Sequence, residues 1–183
     1  MNKLENISRR LTRENIDYEI EEYLTLLDDF PISLKEENTL DFLYRIKRGK
    51  TLTGPYPDVS IFEAANRIMT DLVILFGAKK ILSGCIPEIE VQELIVELGN
   101  EDQRSFDITG KDLRGEAFNV APSFFQNKKS SALKKLRNNS GNEVILLMYN
   151  EDAVTKTYIP QTLRREFHLR VKLKNEGGRI ISI

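Results

Sequence analysis

The apolar residues of this chain recur at two periods, and the changes between them divide it into elements. Leu4, Ile7 and Leu11 lead into Ile16, Ile20, Tyr23 and Leu27 at helical spacings, which predicts a helical start. Ser33 and Glu36 have capping-box spacing for a second helix through about Lys47, and RGKTLTGPYPD (48–58) reads as a linker. A long helix follows from about Val59 to Leu82, with Pro57-Asp58 as its entry turn. QELIVEL (92–98), SFDITG (105–110) and EAFNV (116–120) then read as three strands. Pro122-Ser123 opens a helix through about Arg137, with Ser123 and Gln126 again at capping-box spacing. VILLMY (144–149) is apolar at every position, as a strand buried on both faces must be. FHLRVKLK (167–174) alternates, with Phe167, Leu169, Val171 and Leu173 facing one way and His168, Arg170, Lys172 and Lys174 the other. NEGG then supplies a turn and RIISI a return strand, so the chain ends in a predicted β-hairpin.

The second and third strands carry the chemistry. Asp107 alternates with Phe106 and Ile108, while Glu116, Phe118 and Val120 share a face. If Asp107 lies opposite Glu116, Thr109 meets Arg114, Gly110 meets Leu113, and Lys111-Asp112 remains as a two-residue loop that closes in register. Opposed side chains stand roughly 4.5–5.5 Å apart at Cβ, where like charges destabilise the pair. A divalent cation would reverse that sign; a solvated hairpin face, with the repulsion screened by water, is the other reading.

With helix, three strands, helix and strand in this order, and acids on the second and third strands, residues 59–149 resemble the PD-(D/E)XK nuclease superfamily. The resemblance implies an α/β fold with a restriction-endonuclease-like αβββαβ core and a mixed central sheet. Asp107 matches the first acid of that family's site and Glu116 the acid of its E-x-K element. The implied activity is hydrolysis of DNA phosphodiester bonds with Mg²⁺ or Mn²⁺ held by Asp107 and Glu116, as in restriction-type endonucleases. The chain departs from the pattern at Phe118, which stands where the family has lysine. Some members take that cation from a neighbouring element, which points to Lys129, or Lys128, on the following helix. Lys129 falls within the apolar stripe of Phe125, Ala132, Leu133 and Leu136, where an ammonium must snorkel, lose its proton or meet an anion. Glu63 resembles the extra acid that some families place on the first core helix, although Ser60 and Glu63 also have capping-box spacing. Phe118 favours the alternative, a noncatalytic nucleic-acid-binding or assembly subunit on a decayed nuclease core.

Charge separates the two ends of the chain. Residues 1–103 hold 12 Lys and Arg against 20 Asp and Glu, whereas 104–183 hold 15 against 8. The anionic partner, nucleic acid and in particular DNA, is therefore expected on the second half, with Arg164, Arg165, Arg170, Lys172 and Lys174 as phosphate contacts and Lys156 as a further one. A guard against edge-to-edge pairing explains the same cationic strand equally well. Residues 1–58 form a predicted helical segment that packs on or beside a core of 59–183, mediates dimerisation or docks a partner. The single Cys85 excludes an intramolecular disulfide, and His168, the one histidine, has no visible nucleophile to serve. With no apolar run of spanning length and no signal-peptide pattern at MNKLENISRR, no membrane association is expected and the cytoplasm is the default location.

Overall fold

A computed structural model describes residues 7–28, 38–99, 105–139 and 141–173. Strand β1 (Ile7–Thr12) and helices α1 (Ile16–Asp28), α2 (Thr39–Arg48) and α3 (Ile61–Leu82) precede strands β2 (Glu93–Leu98), β3 (Ile108–Gly110) and β4 (Leu113–Phe118). Helix α4 (Pro122–Asn139), strand β5 (Val144–Asn150) and strand β6 (Glu166–Val171) follow. The six strands lie side by side in chain order. From β1 to β4 neighbours run antiparallel, and β4, β5 and β6 run parallel, so the sheet is mixed. Helix α4 is the crossover that a parallel β4–β5 pair requires. No helix among the described residues is long and apolar enough to cross a membrane.

The two long helices pack on opposite faces. Leu72, Leu75 and Phe76 of α3 share a buried cluster with Leu94, Val96, Ile108, Leu146 and Met148. Phe125, Leu133 and Leu136 of α4 share a second with Phe118, Leu147 and Tyr149. Strand β5 supplies side chains to both, which is why its sequence is apolar throughout.

The N-terminus differs from its sequence reading. Residues 7–12 are a strand paired with β2, Leu11 opposite Leu94 and Arg9 opposite Val96. Ile7 and Leu11 are four apart, a spacing that both a two-residue and a 3.6-residue period place on one face. Local pattern therefore did not separate strand from helix, and the long-range partner did. Arg9 takes an inward position between them and is held at 2.5 Å from Glu19 of α1.

Helix starts also shift. Ser33 and Glu36 lie outside the described residues, and the described α2 is capped by Asn38, whose side chain accepts from the Leu40 and Asp41 amides at 3.0 Å. Ser60 caps α3 as its spacing suggested, accepting from the Glu63 amide at 3.1 Å. Helix α4 begins at Pro122, a position where the missing N–H costs nothing, so Ser123 sits inside the first turn rather than at the cap. The predicted C-terminal turn and return strand lie outside the described residues.

Two glycines set close approaches. A Cβ on Gly115 would overlap Ile108 Cγ2 and stand 3.1 Å from the Leu146 carbonyl oxygen; one on Gly77 would overlap Met148 Sδ. Gly115→Ala should therefore lower stability by about 1–3 kcal/mol, because a β-branched side chain and a backbone oxygen have little room to yield. Gly77→Ala should cost less, since a thioether can move and Ala gains helix propensity. Urea unfolding of both variants measures the order.

Candidate functional site

The β3–β4 hairpin has the register that its residue pattern requires. Ile108 pairs with Gly115, Thr109 with Arg114 and Gly110 with Leu113, leaving Lys111-Asp112 as the loop, with Asp112 in the left-handed region at φ 55°. One step further along that register Asp107 comes opposite Glu116. Asp107 also follows Ile108 in the β2 register, where its carbonyl accepts from the Glu97 amide at 3.0 Å. Glu97, Asp107 and Glu116 thus form one row across three strands.

The row opens into a cavity of about 940 Å³ at one end of the sheet, between α3 and α4. Asp71, Glu97, Asp107, Glu116, Lys128 and Lys135 all contribute to its lining. Asp107 Oδ2 accepts from the Ala117 amide at 2.8 Å, which ties the first acid to the strand bearing the second. Glu116 is largely buried, its side chain 13% exposed. Burial and then Asp107 push its carboxyl up, to about 7, against the opposing pull of Lys135 and Lys128.

Among the cations that line the cavity, Lys135 is the one that meets Glu116. Its Nζ lies 2.7 Å from Glu116 Oε1 and donates to the Ser105 carbonyl at 2.6 Å, 5.4 Å above the Phe106 ring. The Glu116 contact is an ion pair by distance; no directed hydrogen bond reaches Oε1. The sequence reading placed the migrated lysine at Lys129 or Lys128. Lys129 instead turns to the other side of α4, where it donates to Tyr158 Oη at 3.2 Å and lies over the Phe125 and Tyr158 rings. Lys128 does stand on the cavity wall, exposed. A matching of levels along the two elements would have found Lys135: Glu116 lies about 20 Å back from Pro122 at strand rise, and Lys135 about 20 Å down the returning helix.

Asp71 is the other acid the sequence reading missed. It occupies α3, is 2% exposed, and accepts from Tyr23 Oη at 2.7 Å, from Tyr56 Oη, and from the Gly99 amide at 3.0 Å. Burial nevertheless pushes it up to about 6, overriding those three donors, and Asp107 adds to the effect. Glu63, the helix acid expected at the site, does not itself line the cavity; it pairs with Arg67, which does. Its role is at the helix start, where Ser60 holds its amide. Phe118 is buried in the aromatic cluster, its ring 5.9 Å from Tyr149 and nearly parallel to it. A lysine at that position would have to leave the cluster.

The basic strand is not the open cationic face that alternation suggested. Glu166, His168 and Arg170 of β6 follow Ile145, Leu147 and Tyr149 in register, on the α4 side of the sheet. Arg137 makes a two-pronged contact with Glu166 at 2.8–3.1 Å, and the His168 side chain is 1% exposed, its Nε2 3.3 Å from Glu166 Oε1. Burial lowers the His168 pKa, the Glu166 contact opposing. Arg170 donates to the Lys156 carbonyl at 3.4 Å and to the Tyr158 carbonyl. Arg164 and Arg165 are exposed, whereas Arg170 and Lys172 line a separate cavity of about 360 Å³ beside Lys156. None of these residues lines the acidic cavity, and Lys174 lies outside the described residues.

Among the described residues no three His, Cys, Asp or Glu side chains converge as a metal-binding group. Two carboxylates suffice for Mg²⁺, which keeps several waters and completes its shell with substrate phosphates. Asp107 and Glu116 fit that donor set: they are opposed in register, Asp107 helps to push the Glu116 carboxyl up, and Glu116 Oε1 is a buried acceptor with no directed donor. Comparison of the chain with protein-family models, with curated proteins and with solved structures finds no match.

Buried acids with raised pKa hold protons in the folded state that the unfolded chain has released. Their contribution is full below the ordinary carboxylate range and is lost as pH rises through about 6 for Asp71 and about 7 for Glu116. Asp71→Asn should therefore gain on wild type as pH rises from about 4 to about 7. Its amide can accept from Gly99 and donate to tyrosine hydroxyls, so any constant offset from the substitution is separable from the slope. Unfolding free energies across that range supply the measurement, and parallel curves would contradict the assignment.

Proposed function

We propose that this protein is a divalent-metal-dependent deoxyribonuclease, with a PD-(D/E)XK-like core in which Lys135 on α4 stands in for the lysine absent at Phe118. The observation that carries the reading is the Glu116–Lys135 pair at 2.7 Å, set beside Asp107 in the wall of a cavity large enough for a phosphodiester. The succession of α3, β2, β3, β4, α4 and β5 supports it further. Asp107 and Glu116 would hold Mg²⁺ or Mn²⁺, which when bound neutralises charge on a scissile phosphate and lowers the pKa of water.

The remaining work falls to residues of the chain. The Ala117 amide fixes one oxygen of Asp107, leaving the direction of the carboxylate set by the hairpin. Lys135 is held at two points, by the Ser105 carbonyl and by Glu116. Its ammonium is thereby kept close to where negative charge accumulates on the phosphate, with no reorganisation needed when the charge develops. Lys128 adds a second positive charge on the wall, suited to the adjoining phosphate.

A second reading has its own observation. The same Lys135 that would assist cleavage already neutralises Glu116, which is what a noncatalytic nucleic-acid-binding or assembly subunit on this core would need in order to keep a buried acid without metal.

Cleavage of DNA in Mg²⁺ or Mn²⁺ decides between them. Asp107→Ala and Glu116→Ala should abolish metal-dependent turnover, and Lys135→Met should lower it by about 10²- to 10³-fold, the usual effect of removing one preorganised charge at the reacting centre. Lys129→Met, whose ammonium sits on Tyr158, should cut close to the wild-type rate. Mg²⁺ should also raise the melting temperature of the wild type and not that of the Asp107→Ala, Glu116→Ala double variant. A protein that neither cuts nor is stabilised by metal, and that still binds DNA in chelator, supports the binding-subunit reading.

A further inference from the structure

Phe124 and Phe125 are neighbours in the first turn of α4 with opposite surroundings. Phe125 is 2% exposed, with its ring 6.1 Å from Phe118, 4.9 Å from Tyr149 and 5.3 Å from Tyr158. Phe124 is 64% exposed, on the wall of the acidic cavity. Successive helical residues point about 100° apart, which accounts for the direction of Phe124. It does not account for an aromatic ring there, since that position is open to solvent.

The neighbours of Phe124 on the same wall are Asn127, Lys128 and Ser131, at steps of three, four and seven residues, with Lys135 beyond them. These steps share one helix face. A ring, an amide, an ammonium and a hydroxyl thus run in sequence down α4 toward Glu116. Asn66 and Thr70 of α3 stand on the facing wall. This is the set of groups that a single nucleic-acid strand engages: a platform for a base face, charge for phosphates, and amides that can both donate to and accept from base edges.

Resting on the nuclease reading above, we propose that the substrate enters as an unpaired strand, with one base stacked on Phe124 and its phosphates led past Lys128 toward Asp107 and Glu116. Two features favour an unpaired strand over a duplex. A base offers its face to a side chain only when it is out of the stack. The cavity, at about 940 Å³, is walled by helices from opposite faces of the sheet. That volume is at the upper end of pockets that take one small molecule and suits a nucleotide or two.

The test is binding of a short, dye-labelled, mixed-sequence DNA oligonucleotide, single-stranded or annealed to its complement, in chelator so that no cleavage intrudes. Phe124→Ala removes an exposed side chain and should melt as wild type does. It is expected to weaken single-strand binding about tenfold and to leave duplex binding unchanged. Phe124→Trp should restore the affinity, and because the chain contains no tryptophan its indole is a unique reporter whose fluorescence a stacked base should quench. Unchanged single-strand affinity in Phe124→Ala, or an indole blind to the oligonucleotide, overturns the proposal. The two readings fail separately. Wild-type protein that cuts duplex DNA with Mg²⁺ and spares single strands overturns the unpaired-strand proposal and leaves the nuclease standing. Phe124-dependent single-strand binding by a protein that cuts nothing supports the stacking platform and removes the nuclease.

Discussion

A row of carboxylates crossing adjacent strands repels itself, and the ion pair between Glu116 and Lys135 is the contact that makes such a row tolerable at the end of this sheet. Glu116 is more than four-fifths buried, and its raised pKa shows that desolvation and Asp107 together outweigh the nearby ammonium. The pairing constrains everything around it. Lys135 reaches Glu116 because the β3–β4 loop is two residues long and because α4 returns along β4 for the same axial distance that the strand has advanced. One residue more in the loop would turn Glu116 to the other face.

The second constraint is the burial of Asp71. Its three donors come from separate parts of the chain: Tyr23 from α1, Tyr56 from the segment before α3, and Gly99 from the end of β2. An acid this enclosed without those donors would cost several kcal/mol. The N-terminal residues are consequently tied to the cavity floor, not merely laid against the sheet. β1 pairs with β2, Arg13 donates twice to the Leu82 carbonyl at the end of α3, and Lys79 meets Asp17 at 2.6 Å. What the sequence presented as a helical preface is part of the scaffold behind the acids.

Aromatic packing explains why position 118 holds a phenylalanine and has no place for a charged side chain. Phe118, Phe125, Tyr149 and Tyr158 form a cluster between α4 and the parallel strands, and Lys129 lies against it with its ammonium over two of the rings. Cation–π contacts and the Tyr158 hydroxyl satisfy that charge locally. Helix α4 therefore carries lysines on two faces with different surroundings: Lys129 toward the rings, Lys128 and Lys135 toward the acids.

Local sequence was sufficient wherever period and loop length left one solution. The hairpin register from Thr109–Arg114 to Gly110–Leu113 followed from the two-residue loop, the all-apolar β5 from burial on both faces, and the start of α3 from Ser60 and Glu63. Each of those features leaves its mark on residues within a few positions of one another. Other features depended on partners 12 to 83 residues distant and had no local signature: the strand character of residues 7–12, paired at Leu11 with Leu94; the choice of Lys135 over Lys129 for Glu116; the enclosure of Asp71 by Tyr23; and the covering of Arg170 by the Tyr158 carbonyl, where alternation alone exposed it to solvent. A spacing of four fits strand and helix equally, and a lysine on a helix has several directions open to it. Only the packing of α3 and α4 on opposite faces of the sheet selected among them, because burial and ion pairing are settled between elements and not within one.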